Sequence, residues 1–250
     1  MRLFRTRHNL LLSSFFFLGF TSEHNHNFLT YAMSVPKQRV FCYGDSLTAG
    51  TSPPSLETYP YAPHLENALK TMSNNDDDIL VRWRGHPGWT STQMVSDLQG
   101  PAGLASILRR VERQTSEKIS LVVLLAGTND LAYETNSEAI AKSILDLHTA
   151  AHQEGVHTLS LSIPPSGWQK QSAEARKLAQ EVNQSLKLYA ENNADKMTFT
   201  NFPIQEFDPT SGFWSPDGLH FSPEGYTHIG NQLALPIKNI LNASSKKKEG

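Results

Sequence analysis

Ile119-Ser120-Leu121-Val122-Val123-Leu124-Leu125 is almost free of polar residues, and Gly127 closes it. A run this short, with no polar face, suits a strand buried on both sides in the middle of a parallel sheet. Short apolar runs alternate with longer amphipathic stretches on either side of it. Upstream, Gln38 to Tyr43 reads as a strand. Tyr59 to Met72 reads as a helix with Tyr61, Leu65, Ala68, Leu69 and Met72 on one face, ended by Asn74-Asn75-Asp76-Asp77-Asp78. Ile79 to Trp83 is a second strand, and a helical region from Ser91 to Thr115 is interrupted near Gly100-Pro101. Downstream, Ser137 to Gly155 is helical, Val156 to Ile163 is a strand stopped by Pro164-Pro165, and Ser172 to Asn193 is a long helix. Lys196 to Thr200 is a short fifth strand. The last helix opens at Ser222-Pro223, a hydroxyl cap followed by proline at the first helical position, and runs to about Leu241, with Pro236 expected to kink or shorten it.

Strands that alternate with helices long enough to cross back imply a parallel sheet covered on both faces. The expected fold is α/β, a three-layer α/β/α domain with a flavodoxin-like five-stranded parallel sheet over residues 38–241. In such sheets ligands bind beyond the carboxyl ends of the strands, where the strand order reverses. Ser46, Gly88 and Asn129 each follow one of the first three strands, so they are expected on one rim.

Composition narrows the partners. The chain has 250 residues, 22 basic against 24 acidic, and a formal charge of −2, without the basic stripe that nucleic-acid binding needs. Lys246-Lys247-Lys248 stands in a polar tail, 242–250, that reads as a solvated end. The single cysteine, Cys42, permits no intrachain disulfide and sits between Phe41 and Tyr43 as a small buried hydrophobe. Residues 1–32 differ in character: Arg2, Arg5 and Arg7 precede an apolar run from Leu10 to Phe20, the shape of a secretory signal and too short for a stable membrane span. The same stretch also fits an organelle transit peptide or an uncleaved extension of a cytoplasmic chain. Asn183-Gln184-Ser185 and Asn242-Ala243-Ser244 are glycosylation acceptors if the chain is secreted.

Two segments carry chemistry. Ser46 follows Val40-Phe41-Cys42-Tyr43-Gly44-Asp45, a hydroxyl at a strand end, and Asp217-Gly218-Leu219-His220 supplies an acid and an imidazole three positions apart. A serine hydroxyl is a weak nucleophile until a base takes its proton, and the base works best when a carboxylate fixes its tautomer. His148 and His152 stand at i and i+4, a spacing that can hold zinc, but the intervening residues lack a metalloprotease glutamate and the pair is expected on a solvent face. No metal or cofactor is expected. The chain also lacks a G-x-S-x-G elbow and a glycine-rich phosphate loop.

Gly44-Asp45-Ser46-Leu47, the glycine of Pro87-Gly88-Trp89-Thr90, Gly127-Thr128-Asn129-Asp130 and Asp217-Gly218-Leu219-His220 appear in that order at predicted element ends. In these four blocks the chain resembles the GDSL or SGNH hydrolase superfamily, over roughly Arg39 to Leu241. The resemblance implies a Ser46–His220–Asp217 triad, and an oxyanion hole from the backbone N–H groups of Ser46 and Gly88 and the amide of Asn129. Gly85 rivals Gly88 for the second position, and the Gly-Trp-Thr-Ser context favours Gly88. Trp89 departs from the small polar residue common there and is expected either to wall an acyl pocket or simply to pack. Asp45 is expected to fix its loop as a hydrogen-bond acceptor, and Asp130 to orient Asn129.

The implied activity is a cofactor-free serine esterase acting on small-molecule carboxylic esters, with short acyl chains as the default. An O-acyltransferase, or a thioesterase or lysophospholipase, would use the same triad, and a binding domain on this fold would have lost part of it. Loops Thr48 to Thr58, Trp89 to Gly103, Pro164 to Gln169 and Ile204 to Trp214 shape the pocket. Tyr59, Trp89, Trp168, Phe207, Phe213 and Trp214 lie in or beside them, as an acyl lining or a sugar platform.

Overall fold

A computed structural model describes residues 38–73 and 79–249. Residues 1–32, with the expected targeting signal, and the helix-ending run 74–78 lie outside the described residues. Five parallel strands form one sheet: β1 (Gln38–Asp45), β2 (Ile79–His86), β3 (Leu121–Leu125), β4 (His157–Leu161) and β5 (Met197–Thr200), in the order β2-β1-β3-β4-β5. The helices are α1 (Ser46–Ala49), α2 (Tyr61–Met72), α3 (Ser91–Ser96), α4 (Leu104–Thr115), α5 (Ser137–Gln153), α6 (Gly167–Gln171), α7 (Ala173–Asn192) and α8 (Pro223–Glu249), with a 3₁₀ turn at Asp130–Ala132.

Strand pleating divides the core in two. Val40 and Cys42 of β1, with Leu121, Val123 and Leu125 of β3, face Tyr61, Leu65 and Leu69 of α2 and Ile229, Leu233 and Ile237 of α8. Phe41, Tyr43, Val122 and Leu124 face the other way, toward Leu104 and Leu108 of α4, Ile144 and Leu147 of α5, and Val182 and Leu186 of α7. All five residues of β3 are at most 1% exposed, which explains why its sequence shows no alternation.

The strand order dictates which helix lies where. From β1 the chain steps outward to β2 through α2, then returns past β1 to β3. Right-handed crossovers in opposite directions must lie on opposite faces, so α4, α5 and α7 cover the side that α2 leaves bare. Helix α8 comes back beside α2 and completes the first face. The direction reverses between β1 and β3, and the carboxyl end of β1 is therefore the crevice of the sheet.

Several boundaries differ from the sequence expectation. Strands β1 and β2 run past their glycines because they pair continuously from Gln38↔Ile79 through Gly44↔Gly85 to Asp45↔His86. A Cβ on Gly85 would stand 2.2 Å from the Ala49 nitrogen and 2.5 Å from the Asp45 oxygen, so glycine marks close backbone approach within the strand and not its end. Met72 is 39% exposed and off the packed face. Helix α6 falls where the sequence predicts a loop, being too short to show a period. Helix α8 does not stop near Leu241: its backbone continues through the expected tail to Glu249 with Pro236 inside it. Leu233, Ala234, Ile237 and Leu241 are buried on both sides of the proline, and their packing outweighs the hydrogen bond it removes. Among the described residues no helix is long and apolar enough to cross a membrane.

Candidate active site

Ser46 stands where β1 turns into α1. Asp45 caps that one-turn helix, its Oδ1 accepting the Leu47 N–H at 2.9 Å, and Gly50 at φ +81° closes it by donating to the Ser46 carbonyl at 3.0 Å. Asp45 is fully buried, and burial pushes its carboxyl up to about 7. It is a loop-fixing acceptor and makes no bond to an imidazole. Cys42, wholly buried one turn of pleat earlier, has its thiol pushed up to about 12 by burial and is no nucleophile.

The imidazole arrives from the far side of the sequence. Trp214 and Phe221 form an antiparallel bridge that pinches off the turn between them. Inside it the Ser215 N–H donates to the His220 carbonyl at 2.9 Å and the Gly218 N–H to the Ser215 carbonyl at 3.0 Å, with Gly218 at φ +65°. Asp217 Oδ1 accepts the N–H groups of both Leu219 and His220 at 3.0 Å. Its Oδ2 lies 2.6 Å from His220 Nδ1, and His220 Nε2 lies 2.9 Å from Ser46 Oγ. A carboxylate opposite Nδ1 requires the proton there, which leaves Nε2 free to accept from the serine. Burial works against the Asp217 charge, but the ring and the two amides outweigh it and hold the carboxyl below the usual range.

This turn is mounted on aromatic rings. Trp214 and Phe221 are 4.5 Å apart, Phe221 stacks on Phe202 at 5.3 Å, and Tyr226 meets Phe221 edge-on at 5.6 Å. The Tyr226 hydroxyl donates to the Thr51 carbonyl at 2.8 Å, tying the start of α8 to the loop behind Ser46.

Gly88 and Asn129 come from the ends of β2 and β3. Gly88 has φ +80°, and a Cβ there would meet nothing within 4 Å: its open side faces space, whereas Gly85 is packed on backbone. The Asn129 amide donates to the Trp89 carbonyl at 2.9 Å, which uses one of its two hydrogens. Trp89 packs its ring on His86, centroids 4.5 Å apart, and His86 meets Tyr43 at 5.2 Å. The expectation for Asp130 needs correction. It does not hold Asn129; it accepts the Ser91 N–H at 2.9 Å and the Ser91 hydroxyl, clamping the start of α3, and with it the Gly88 loop, to the β3 loop. Burial raises its carboxyl despite these bonds. Nothing local in the sequence announces this pairing across 39 residues.

The histidine pair is also not as expected. His148 is fully buried, and its Nδ1 and the His152 Nε2 converge on the Thr158 hydroxyl at 2.8 and 2.9 Å. The pair anchors α5 to β4 and is not a solvent face. Among the described residues no group of three or more His, Cys, Asp or Glu is placed to hold a metal. Asn183 is likewise engaged, accepting from the Ile163 N–H at 2.7 Å and donating to its carbonyl at 3.2 Å. Of the rim aromatics, Trp214 and Phe207 pack together at 4.8 Å, and Trp168 is 46% exposed.

The sheet is doubly wound and parallel, and at its carboxyl crevice serine, histidine and aspartate stand in one hydrogen-bonded chain, an arrangement that suits acyl transfer through a serine. Residues 42–228 match the sequence model of the GDSL-like Lipase/Acylhydrolase family, and the chain belongs to that family. Solved structures share the fold. A carbohydrate acetylesterase from Sinorhizobium meliloti is 19% identical with a TM-score of 0.60, over 82% of this chain and 100% of that one. The Clostridium thermocellum family 3 carbohydrate esterase is 22% identical with a TM-score of 0.61, over 82% and 98%. The aryl esterase of M. smegmatis is 22% identical with a TM-score of 0.60, over 81% and 99%. No curated protein sequence matches.

Proposed function

We propose that this chain hydrolyses esters of short carboxylic acids through an acyl-serine intermediate on Ser46. One observation carries the proposal: His220 touches Ser46 Oγ with one nitrogen and Asp217 with the other, at 2.9 and 2.6 Å. In the first half-reaction Ser46 Oγ attacks the ester carbonyl carbon as its proton passes to His220 Nε2. The carbonyl oxygen becomes an oxyanion, which the Ser46 and Gly88 N–H groups and the free hydrogen of the Asn129 amide stabilise. The intermediate collapses, the bond to the alcohol oxygen breaks, and His220 returns the proton to that oxygen. In the second half water attacks the acyl carbon and gives a proton to His220, the bond from the acyl carbon to Ser46 Oγ breaks, and His220 returns the proton to Oγ as the acid leaves.

The acetylesterase on the same fold supports a short acyl group, the aryl esterase an aryl ester as a substrate to try, and the two carbohydrate esterases a sugar as one alcohol to try. The test is a p-nitrophenyl ester series of increasing acyl length, run beside acetylated sugars and acyl thioesters, with Ser46→Ala as blank. Turnover should peak at the short acyl esters and fall by about 10⁴-fold or more in Ser46→Ala. Ester cleavage that survives the substitution would overturn the proposal.

A further inference from the structure

Phe207, in the loop between β5 and α8, meets the back of the turn that carries His220. Its ring enters tip-first between two glycines. A Cβ on Gly218 would stand 3.2 Å from the ring Cζ and 3.4 Å from Cε2, and a Cβ on Gly167 would stand 3.1 Å from the same Cζ and 3.5 Å from Cε1. Any side chain at either position would displace the ring or the turn. The two glycines are joined as well, the Gly167 N–H donating to the Gly218 carbonyl at 2.8 Å. The ring is steadied from elsewhere by Trp214, at 4.8 Å and 61°, and by the Lys170 ammonium 5.9 Å from its centroid. It also walls a cavity of about 460 Å³ whose other lining includes Lys170, Arg176 and Gln180.

Gly218 is the link between this wedge and the chemistry. It follows Asp217 directly, and its left-handed backbone sets the direction in which the Leu219 and His220 N–H groups meet the Asp217 carboxylate. The bonds from Asp217 to His220 and from His220 to Ser46 tolerate little displacement, because hydrogen bonds weaken beyond about 3.2 Å and a misplacement of about 1 Å costs roughly 10²-fold in rate.

We propose that Phe207 is a positioning residue for the ester-cleaving site: its ring, wedged between Gly167 and Gly218, sets where Asp217 and His220 stand relative to Ser46. This rests on the assignment of those three residues as the triad. The ring acts through the turn.

The test compares Phe207→Ala, Phe207→Leu and Phe207→Tyr on p-nitrophenyl acetate. The tyrosine variant adds its one new atom at Cζ, the atom that faces both glycines, while keeping a ring against Trp214, so it probes the wedge without emptying the core. For the alanine and tyrosine variants kcat should fall by about tenfold or more with KM within about twofold, and leucine should recover part of the loss. The low-field proton resonance of the His220 Nδ1–H should shift or vanish in Phe207→Tyr while its unfolding midpoint holds. Combined with Asp217→Asn, Phe207→Ala should cost less than it does alone, since both act on one pair. Gln180→Ala, on the same cavity away from the turn, should keep the parent kcat. Parental kcat in both Phe207→Ala and Phe207→Tyr, or losses that add fully to that of Asp217→Asn, would overturn the inference while Ser46→Ala remains dead. Activity that persists in Ser46→Ala would instead remove the functional assignment beneath it.

Discussion

At the residue scale the site separates carboxylates that look alike in sequence. Asp45 is adjacent to the serine yet buried, capped on Leu47 and pushed up toward neutrality, so it holds the loop. Asp217 is partly open, accepts from two amides and a ring, and stays ionised. The environment, and not the distance along the chain, assigns the partner of His220. Asn129 is divided in a similar way, one amide hydrogen on the Trp89 carbonyl and the other, in the proposed mechanism, on the oxyanion. Asn129→Ala should therefore lower kcat for p-nitrophenyl acetate by about 10²-fold to 10³-fold with little change in KM, because the lost donor acts on charge that develops only in the transition state. A rise in KM at constant kcat would show that Asn129 serves ground-state binding instead.

At the scale of elements, two glycines three residues apart do different work. Gly85 lets β2 pair beside the β1–α1 junction without a Cβ striking the Ala49 nitrogen, whereas Gly88 turns a loop with its side open. Gly85→Ala should destabilise by about 1–3 kcal/mol through overpacking. Gly88→Ala should lose about 1–2 kcal/mol through its positive φ alone, but place a methyl where the substrate would approach and lower kcat/KM disproportionately. Urea midpoints set beside kcat/KM for the two variants check this; equal ratios of activity lost to stability lost would contradict it. Spacing alone left these two glycines as rivals. Their difference lies in what stands opposite them, which a single sequence does not display.

At the scale of the whole molecule, the two cores stand or fall on the sheet between them, and the buried His148 makes the face of α4, α5 and α7 sensitive to acid. Burial, with His152 beside it, pushes the imidazole from the ordinary 6.5 to about 3, so the unfolded chain binds a proton that the folded one refuses. Its contribution is complete above about pH 6.5 and is lost as pH falls toward about 3. Asp45 has the opposite sign: its folded pKa is raised to about 7 from 3.8, so its contribution is complete below about pH 3.8 and is lost progressively as pH rises to about 7. Between pH 4 and pH 7 the two contributions oppose each other, so His148→Gln should raise urea stability at pH 4 relative to pH 7, compared with the parent, by on the order of 1–3 kcal/mol. An unchanged acid slope would place the sensitivity elsewhere.

The alternation of short apolar runs with amphipathic ones was enough to specify a parallel, doubly wound α/β/α sheet. Ser46 and the Asp217–His220 pair stood out because each lies in a tight local frame whose turn chemistry is written in adjacent residues. Strand periodicity and capping are short-range effects, and a linear sequence records them. The pairing of Ser91 with Asp130 across 39 residues, the choice between Gly85 and Gly88, the burial of His148, the course of α8 past Pro236 and the wedge of Phe207 are not of that kind. Each arises when right-handed crossovers bring distant segments onto one face or one rim, where a missing Cβ, a shared proton or a ring's edge acquires its neighbour.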